Sequence, residues 1–379
     1  MRDDRLPEYN YMTETELIKL FNPVHLPRTG SKSMNKENVI IIILESFGKE
    51  YIGFFNNGKG YTPFLDSLLG KSLVFSNSFA DGKRSIDAMP AILSSIPSWM
   101  GIPYVNTSYQ SNNISSLGKI LAKEGYYTAY FHGGRNGTMA FDNYINVSAF
   151  GKYYGMNEYS QKSDFDGGWG IGDEPFLQFI VKDINRNKHP FCVAFFTLSS
   201  HQPYHIPDKY NNKFKGGPLP IFKAIQYADY SLQQFFKTVS TMPWYSNTLF
   251  VITADHSAES MSPYYQTMIG KYAVPIVFFK PGTKLIADTK RVVEQIDIMP
   301  SILDHLNYPY KYFAFGSSVF DTTMPGRAVQ FNEGLLQIVK PPYFFVFENK
   351  PLGFYNFMSD KMLRQNLIKT VDPVTYSKI

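Results

Sequence analysis

The sequence predicts an α/β protein with a mostly parallel sheet and helices on both faces of that sheet. Residues 39–44 and 249–254 form two short apolar runs that are rich in β-branched side chains and show no polar–apolar alternation. Such runs are typical of strands buried on both faces, as in a parallel sheet covered by helices. Strand-like and helix-like segments also alternate along most of the chain, which indicates repeated β-α units.

The individual elements follow from periodicity and from the residues that start or stop helices. Ser115 and Ser116 mark the start of one helix and Gly125 its end, and Asp173 is expected to cap another. Residues 221–239 have the amphipathic pattern of a long helix. The predicted strands are residues 39–44, 126–131, 191–196, 249–254 and 274–279, and the predicted helices are residues 62–69, 85–98, 114–125, 173–181, 221–239 and 297–306.

The two ends of the chain differ from this α/β catalytic domain, which we assign to residues 38–310. Residues 1–37 are polar and irregular, so we expect a connector that leads into the first strand. A small C-terminal antiparallel α+β subdomain is expected over residues 311–379. Its predicted strands, which are separated by Pro, Gly and Asn-Lys turns, are residues 326–331, 344–347 and 352–355.

Composition excludes several classes of protein. The 379 residues are 44% hydrophobic and 18% charged, which suits a globular chain with a sizeable core. The net charge is +5 and no block of Lys or Arg occurs, so nucleic acid is not an expected partner. The single cysteine, Cys192, cannot form an internal disulfide.

The sequence carries no obvious membrane or export signal. No run reaches the roughly 18 apolar residues of a membrane span, and the start of the chain lacks the apolar segment of a signal peptide. Two interpretations are open: a cytoplasmic protein, or the excised soluble part of a larger protein. The connector-like N-terminus favours the second.

Acidic and imidazole side chains follow the two apolar runs directly. Glu45 ends the first run, and Asp255 and His256 end the second. Ligands gather at the carboxyl ends of parallel strands, so we expect these three side chains to meet in one crevice. Two carboxylates and an imidazole suit Mn²⁺, Mg²⁺ or Zn²⁺ and leave coordination positions open. The structural alternative is that Glu45 caps the following helix.

A candidate nucleophile, Ser85, lies at the predicted start of a helix, directly after Lys83 and Arg84. A serine in this place is often a plain N-cap. Next to a metal, however, the ion and the helix dipole lower the cost of forming an alkoxide, and the two cations attract an anionic group. The combination predicts phosphoryl or sulfuryl transfer through a covalent intermediate.

Three further side chains are candidates for the same pocket. His201 and His132 each follow a predicted strand, where either could steady the transferred group or protonate a leaving alcohol. Trp169 lies in the glycine-rich segment 166–170 and is either a platform for substrate or a packed ring.

Together these segments resemble the extracellular catalytic domain of lipoteichoic acid synthases, which are phosphoglycerol transferases of the alkaline phosphatase and sulfatase superfamily. The resemblance spans roughly residues 38–310, and residues 331–334 and 352–367 are similar to the family's C-terminal part. Each motif alone is weak, but the ordered set is specific. In chain order, its members are Asn38-Val39-Ile40 through Glu45-Ser46, Gly82-Lys83-Arg84-Ser85, Phe131-His132-Gly133, Leu198 to Tyr204, and Thr253-Ala254-Asp255-His256.

The resemblance implies roles for the candidate residues. It makes Glu45, Asp255 and His256 ligands of one divalent ion, usually Mn²⁺ or Mg²⁺, with Zn²⁺ or Ca²⁺ as alternatives. Ser85 becomes both nucleophile and metal ligand, and His201 and His132 contact the phosphoglycerol group. The substrate would be an anionic phospholipid or a glycan phosphate. An N-terminal transmembrane part, absent here, would hold the domain on the extracytoplasmic face of the cytoplasmic membrane.

The sequence departs from the family at two places. The family usually has a Thr nucleophile where this chain has Ser85, and both are alcohols. The Trp and Arg that hold glycerol phosphate in the family fall near Met139 and Phe141, so Arg135, Arg84 or Lys83 would have to substitute. The donor is therefore a glycerophospholipid or another phospho-alcohol, such as one that carries phosphoethanolamine.

We therefore expect a metal-dependent phosphotransferase or phosphodiesterase that acts on a lipid headgroup through a phospho-Ser85 intermediate. The alternatives are a phosphohydrolase or sulfatase-type hydrolase that uses water as acceptor, and a non-catalytic envelope-binding domain. Sulfate-ester hydrolysis is disfavoured as the native reaction. Sulfatases oxidise a Cys or Ser that is followed at fixed spacing by Pro and Arg, and residues 85–89 contain neither.

Overall fold

The computed structural model describes residues 11–27, 33–187, 190–372 and 374, so residues 1–10 and 28–32 of the expected connector lie outside the described part. The strands are β1 (Val24–His25), β2 (Asn38–Leu44), β3 (Leu73–Val74), β4 (Asn77–Phe79), β5 (Tyr127–His132), β6 (Lys152–Tyr154), β7 (Phe191–Phe196), β8 (Thr248–Ala254), β9 (Ile276–Phe279), β10 (Val292–Glu294), β11 (Tyr312–Phe313), β12 (Ala328–Asn332), β13 (Leu335–Lys340), β14 (Tyr343–Glu348) and β15 (Lys350–Asn356). The α-helices are α1 (Glu14–Leu20), α2 (Pro63–Leu69), α3 (Ser85–Ser94), α4 (Leu117–Lys123), α5 (Phe141–Val147), α6 (Asp173–Ile184), α7 (Ile221–Val239) and α8 (Ile298–His305).

A seven-stranded sheet with the order β3-β9-β8-β2-β7-β5-β6 forms the centre of the molecule. Strands β6, β5, β7, β2 and β8 are parallel, whereas β9 runs antiparallel to both β8 and β3. The predicted mostly parallel sheet is confirmed. Its central strands β2 and β8 are buried along their whole length, as their apolar runs indicated.

Helices cover both faces of this sheet, and alternate β2 side chains reach two separate cores. Ile40 and Ile42 pack in a cluster with residues of α2, α6 and α7. Val39 and Ile41 point the other way and pack with residues of α3, α4 and α8. Because side chains alternate across a strand, burial on both faces removes any polar position from the run. None of the helices in the described ranges is long and apolar enough to cross a membrane.

The C-terminal part is an antiparallel sheet in which β12, β13, β14 and β15 pair in chain order. The predicted strands at 326–331, 344–347 and 352–355 correspond to β12, β14 and β15, and the sequence analysis missed β13. Between residues 311 and 372 the structure has no α-helix, and residue 374 is helical.

Three local predictions need correction. Gly172, not Asp173, is the N-cap of α6, and the Asp173 carboxylate instead accepts hydrogen bonds from the amides of Leu198 (2.7 Å) and Ser199 (3.1 Å). Helix α3 ends at Ser94, because Ser95 adopts a left-handed conformation with φ 54°. The stretch expected to be irregular contains α1, as well as β1, which pairs with β11.

Candidate active site and metal centre

The carboxyl ends of β2 and β8 bring three potential metal ligands together. Leu44 pairs with Ala254 in the sheet, so Glu45 and Asp255 leave neighbouring strands at the same level. The Ser46 amide donates to Asp255 Oδ1 at 2.7 Å, which fixes that carboxylate. Glu45, Asp255 and His256 each offer one ligand atom, and these atoms lie within 4.8 Å of one another.

The electrostatics of this cluster suit a cation. Glu45 and Asp255 are 3% and 1% exposed, and burial, followed by the charge of Asp255, raises the pKa of Glu45 well above its ordinary value. Asp255 Oδ2 is buried and accepts no hydrogen bond from any described residue, although His256 Nε2 lies 3.2 Å away. Among the described residues, neither carboxylate forms an ion pair with Lys or Arg. An oxygen-rich set with an orphaned buried oxygen therefore fits a divalent ion.

The His256 ring is oriented for the same purpose. Its Nδ1 lies 2.9 Å from the carbonyl oxygen of Ser257. A carbonyl can only accept, so Nδ1 carries the hydrogen in this bond. Its Nε2 faces the carboxylates, 3.2 Å from Asp255 Oδ2, as in metal-ligating histidines whose other ring nitrogen donates to a backbone oxygen.

Ser85 is the first residue of α3 and contacts the cluster directly. Its Oγ donates to Glu45 Oε2 at 3.3 Å and lies 3.3 Å from His256 Nε2. The N-cap position belongs to Arg84, and no side chain forms a cap hydrogen bond at this helix start. The plain N-cap interpretation of Ser85 is therefore not found. The Ser85 hydroxyl instead lies at the positive end of the α3 dipole and contacts two members of the ligand cluster.

The two cations before Ser85 have different surroundings. Arg84 makes a bidentate ion pair with Asp87, with distances of 2.8 Å and 3.0 Å, so its guanidinium is engaged within its own helix. Lys83 is exposed, and partial desolvation by its neighbours, followed by the charge of Lys271, lowers its pKa. Lys271 was not among the predicted site residues, because nothing in its local pattern distinguishes it from a surface lysine.

His132, at the end of β5, is 1% exposed. Burial, with a smaller contribution from the charge of His201, lowers its pKa to about 4, so the ring is neutral at neutral pH. Phe141 packs edge-on against it at 5.2 Å. Its Nδ1 has no hydrogen-bond partner among the described residues. A neutral imidazole with an unpaired nitrogen can receive or donate one hydrogen bond to a ligand.

His201 and Trp169 form a second part of the site. Their rings lie 4.3 Å apart, and both Trp169 Nε1 (2.6 Å) and His201 Nδ1 (2.8 Å) lie at the carbonyl oxygen of Gln202. Trp169 remains 40% exposed, so its ring is not a core residue. Arg135 lies on the surface with its guanidinium 5.9 Å from the centre of the Phe165 ring.

Buried polar residues that the sequence analysis missed support these side chains. The Thr197 hydroxyl accepts from the Glu45 amide at 2.9 Å, and the Ser200 hydroxyl donates to the Glu45 carbonyl at 2.6 Å. Asp173 holds the backbone of residues 198–199 just before His201. The one available signal was that Thr197 and Ser200 follow the end of β7.

Comparison with known proteins identifies the family. The family described as Sulfatase matches residues 37–308 of the chain. The chain belongs to the Sulfatase family. The superfamily that the sequence motifs indicated is confirmed.

Curated relatives of this sulfatase-family chain include lipoteichoic acid synthases. Lipoteichoic acid synthase 1 of Bacillus subtilis is 28% identical over 312 residues, which is 76% of this chain and 48% of the relative. Lipoteichoic acid synthase 2 of the same organism is 25% identical over 390 residues, or 90% of this chain and 59% of the relative. The chain thus spans about half the length of these relatives.

Solved structures share the fold. A protein of the alkaline phosphatase superfamily from Vibrio parahaemolyticus superposes with a TM-score of 0.79 and 21% identity, covering 93% of this chain and 86% of the other. The lipoteichoic acid synthase LtaP from Listeria monocytogenes gives a TM-score of 0.74 and 20% identity, covering 87% and 88%. The resemblance to lipoteichoic acid synthases that the sequence predicted is confirmed by these comparisons.

Proposed function

We propose that this sulfatase-family protein is a metal-dependent phosphotransferase in which Ser85 is the nucleophile. The observation that carries the proposal is the Ser85 hydroxyl at the start of α3, 3.3 Å from both Glu45 Oε2 and His256 Nε2. A hydroxyl held between metal-ligand candidates is placed for attack on an electrophile bound at the same centre.

The proposed reaction assigns a role to each residue of the site. Glu45, Asp255 and His256 would hold a divalent ion, Mn²⁺ or Mg²⁺ by preference, which would activate an alcohol and offset the charge of a phosphodiester. A bond forms between Ser85 Oγ and phosphorus, the Ser85 proton is lost to solvent, and the bond from phosphorus to the leaving oxygen breaks. His201 supplies a proton to that oxygen, while neutral His132 orients the transferred group with a hydrogen bond. A second alcohol, or water, then attacks phosphorus and gives its proton to His201, while the bond from phosphorus to Ser85 Oγ breaks and Ser85 regains a proton from solvent.

The proposed donor is a phospholipid headgroup, because relatives of this chain are named lipoteichoic acid synthases. Lys83 provides an exposed positive charge for an anionic group, and Trp169 provides an exposed ring beside His201. Arg84 and Arg135 are proposed as outer cations that a substrate would recruit from Asp87 and Phe165. By the same relationship, we propose action on the extracytoplasmic face of the membrane.

A mass measurement tests the proposal. The protein is incubated with Mn²⁺ and vesicles of phosphatidylglycerol or phosphatidylethanolamine, and its intact and peptide masses are recorded. We expect an adduct on Ser85 that matches glycerol phosphate or ethanolamine phosphate, and none in Ser85→Ala. Ser231→Ala is the matched control, because its hydroxyl is buried inside α7 and donates only to the Tyr227 carbonyl.

The outcomes separate the alternatives. An adduct that is lost only after an alcohol acceptor is added indicates a transferase. An adduct that is lost equally fast with and without the alcohol is removed by water and indicates a phosphohydrolase. Diester cleavage by Ser85→Ala at the rate of the parent would disprove the nucleophile. A protein that binds no divalent ion in calorimetry would leave only the non-catalytic envelope-binding function.

A further inference from the structure

A buried glutamine joins the two halves of the site. Gln295 follows β10 directly and is 0% exposed. Its Nε2 donates to the carbonyl oxygens of Ala254 (2.6 Å) and Asp255 (2.8 Å), at the end of the strand that carries the metal-ligand candidates. Its Oε1 accepts from the amide of Asp81 at 2.8 Å, where the turn toward Ser85 begins.

The three hydrogen bonds use both N–H donors of the Gln295 amide and one acceptor site of its oxygen. The two N–H bonds require acceptors and the carbonyl requires a donor, so rotating the amide by half a turn would set donor against donor and acceptor against acceptor. A carboxylate cannot donate to the two carbonyls, and an apolar side chain can satisfy none of the three groups. Only an amide at this position satisfies the end of β8 and the start of the nucleophile turn together.

The ligand cluster itself has other supports. Asp255 is fixed by the Ser46 amide at 2.7 Å and by its own amide, which donates to the Leu44 carbonyl at 3.1 Å. The backbone of the nucleophile turn at Asp81 reaches the end of β8 through the Gln295 side chain. The Asp81 carboxylate accepts a hydrogen bond from the Ser98 amide at 2.6 Å. Loss of the Gln295 amide is therefore felt at the turn more than at the ligands.

We propose that Gln295 is a positioning residue that sets the distance between the Ser85 hydroxyl and the metal ligands. It touches no reacting atom and acts through the backbone at Asp81 and Asp255. The inference rests on the proposed function for its effect on rate, and on geometry alone for its effect on structure. Small displacements of a nucleophile are costly, since about 1 Å of misplacement lowers a rate by roughly a hundredfold.

The test uses Gln295→Met and Gln295→Glu, with Gln337→Met as the matched control. Gln337 is also a buried glutamine (1% exposed), but it lies in β13, and its Oε1 has no hydrogen-bond partner among the described residues. The readouts are the rate of adduct formation at Ser85 with saturating Mn²⁺ and lipid, the Mn²⁺ affinity, the melting temperature, and crystal structures of parent and variant with Mn²⁺.

For Gln295→Met we expect a rate loss of roughly ten- to a hundredfold, a Mn²⁺ affinity within about threefold of the parent, and a Ser85 Oγ to His256 Nε2 distance longer than the present 3.3 Å. Gln295→Glu should recover part of its rate, relative to the parent, as the pH falls, because the protonated carboxyl regains one donor. A general loss of stability would not produce that recovery. Gln337→Met should keep the parent rate.

Two results would overturn the inference: a Gln295→Met protein as fast as Gln337→Met, or an unchanged Ser85 position in the crystal. If the parent itself forms no adduct, the proposed function fails, and the crystallographic distance still decides the role of Gln295.

Discussion

Two glycines allow the loops that carry His132 and Trp169 to meet, and this contact gives the sharpest test of the site geometry. Gly134 and Gly170 form an isolated antiparallel bridge. The Ile171 amide donates to the Gly133 carbonyl at 2.9 Å, so the two backbones lie in direct contact. Neither glycine has a positive φ, so their role is close approach rather than backbone freedom.

The perturbation is Gly170→Ala. Its Cβ would lie 2.8 Å from Gly134 Cα and closer still to the Gly133 carbonyl oxygen, whereas real Cβ atoms essentially never come within 3.0 Å. Because these obstacles are backbone atoms, the loops must separate by up to about 1 Å. Gly168→Ala is the control, since its Cβ would meet only Asp166 Oδ1 at 3.8 Å.

The expected effect is larger on activity than on folding. Overpacking of this kind costs about 1–3 kcal/mol of unfolding free energy, which denaturant titration measures. Displacing Trp169 and His201 relative to His132 by that distance should lower the rate of Ser85 adduct formation by roughly ten- to a hundredfold. Gly168→Ala should match the parent in both measurements. If Gly170→Ala forms the adduct as fast as Gly168→Ala, the two loops do not act as one binding surface.

Two further predictions concern protons. Burial and the Asp255 charge raise the pKa of Glu45, so Mn²⁺ binding should release a proton, and the affinity should rise with pH by up to about tenfold per pH unit. Isothermal titration calorimetry in buffers of different ionisation heat counts the released protons. An affinity that does not change with pH would contradict the expectation. Lys49 is buried, and burial lowers its pKa from 10.5 to about 7, so the unfolded chain binds the proton more tightly. Its contribution to stability should be complete above pH 10.5 and should be lost as pH falls toward about 7, with a slope of up to about 1.4 kcal/mol per pH unit. Denaturant unfolding of Lys49→Met should lack this slope between pH 7 and pH 9, and an equal slope in parent and variant would assign the titration to another group.

The fold and the meeting of Glu45, Asp255 and His256 could be predicted because they depend on local patterns. A strand buried on both faces must be apolar throughout, and the polar residue that ends it lies at the sheet edge. The same patterns could not show β4 and β10, whose three residues each are too short to carry a period. These patterns also could not show that the Asp173 carboxylate accepts hydrogen bonds from the amides of residues 198–199. An acidic residue at a helix start has the same sequence pattern whether it binds amides of its own helix or amides elsewhere.

The charged groups of the site say more about the type of reaction than membership of the Sulfatase family does. Glu45 and Asp255 are buried side by side without a Lys or Arg partner among the described residues. Lys83 is exposed and lies near Lys271, where like charges repel. The carboxylate pair and the lysine pair are each destabilised by repulsion between like charges. A divalent ion between the carboxylates and an anion beside the lysines would offset these charges. Sulfate and phosphate esters both supply such an anion. Ser85, however, is followed by Ile86-Asp87-Ala88-Met89. This segment lacks the Pro and Arg that sulfatases need after the Cys or Ser that they oxidise to an aldehyde. An unmodified hydroxyl forms a stable ester bond to phosphorus that a second alcohol can displace, which is why phosphoryl transfer suits this site better than sulfate hydrolysis.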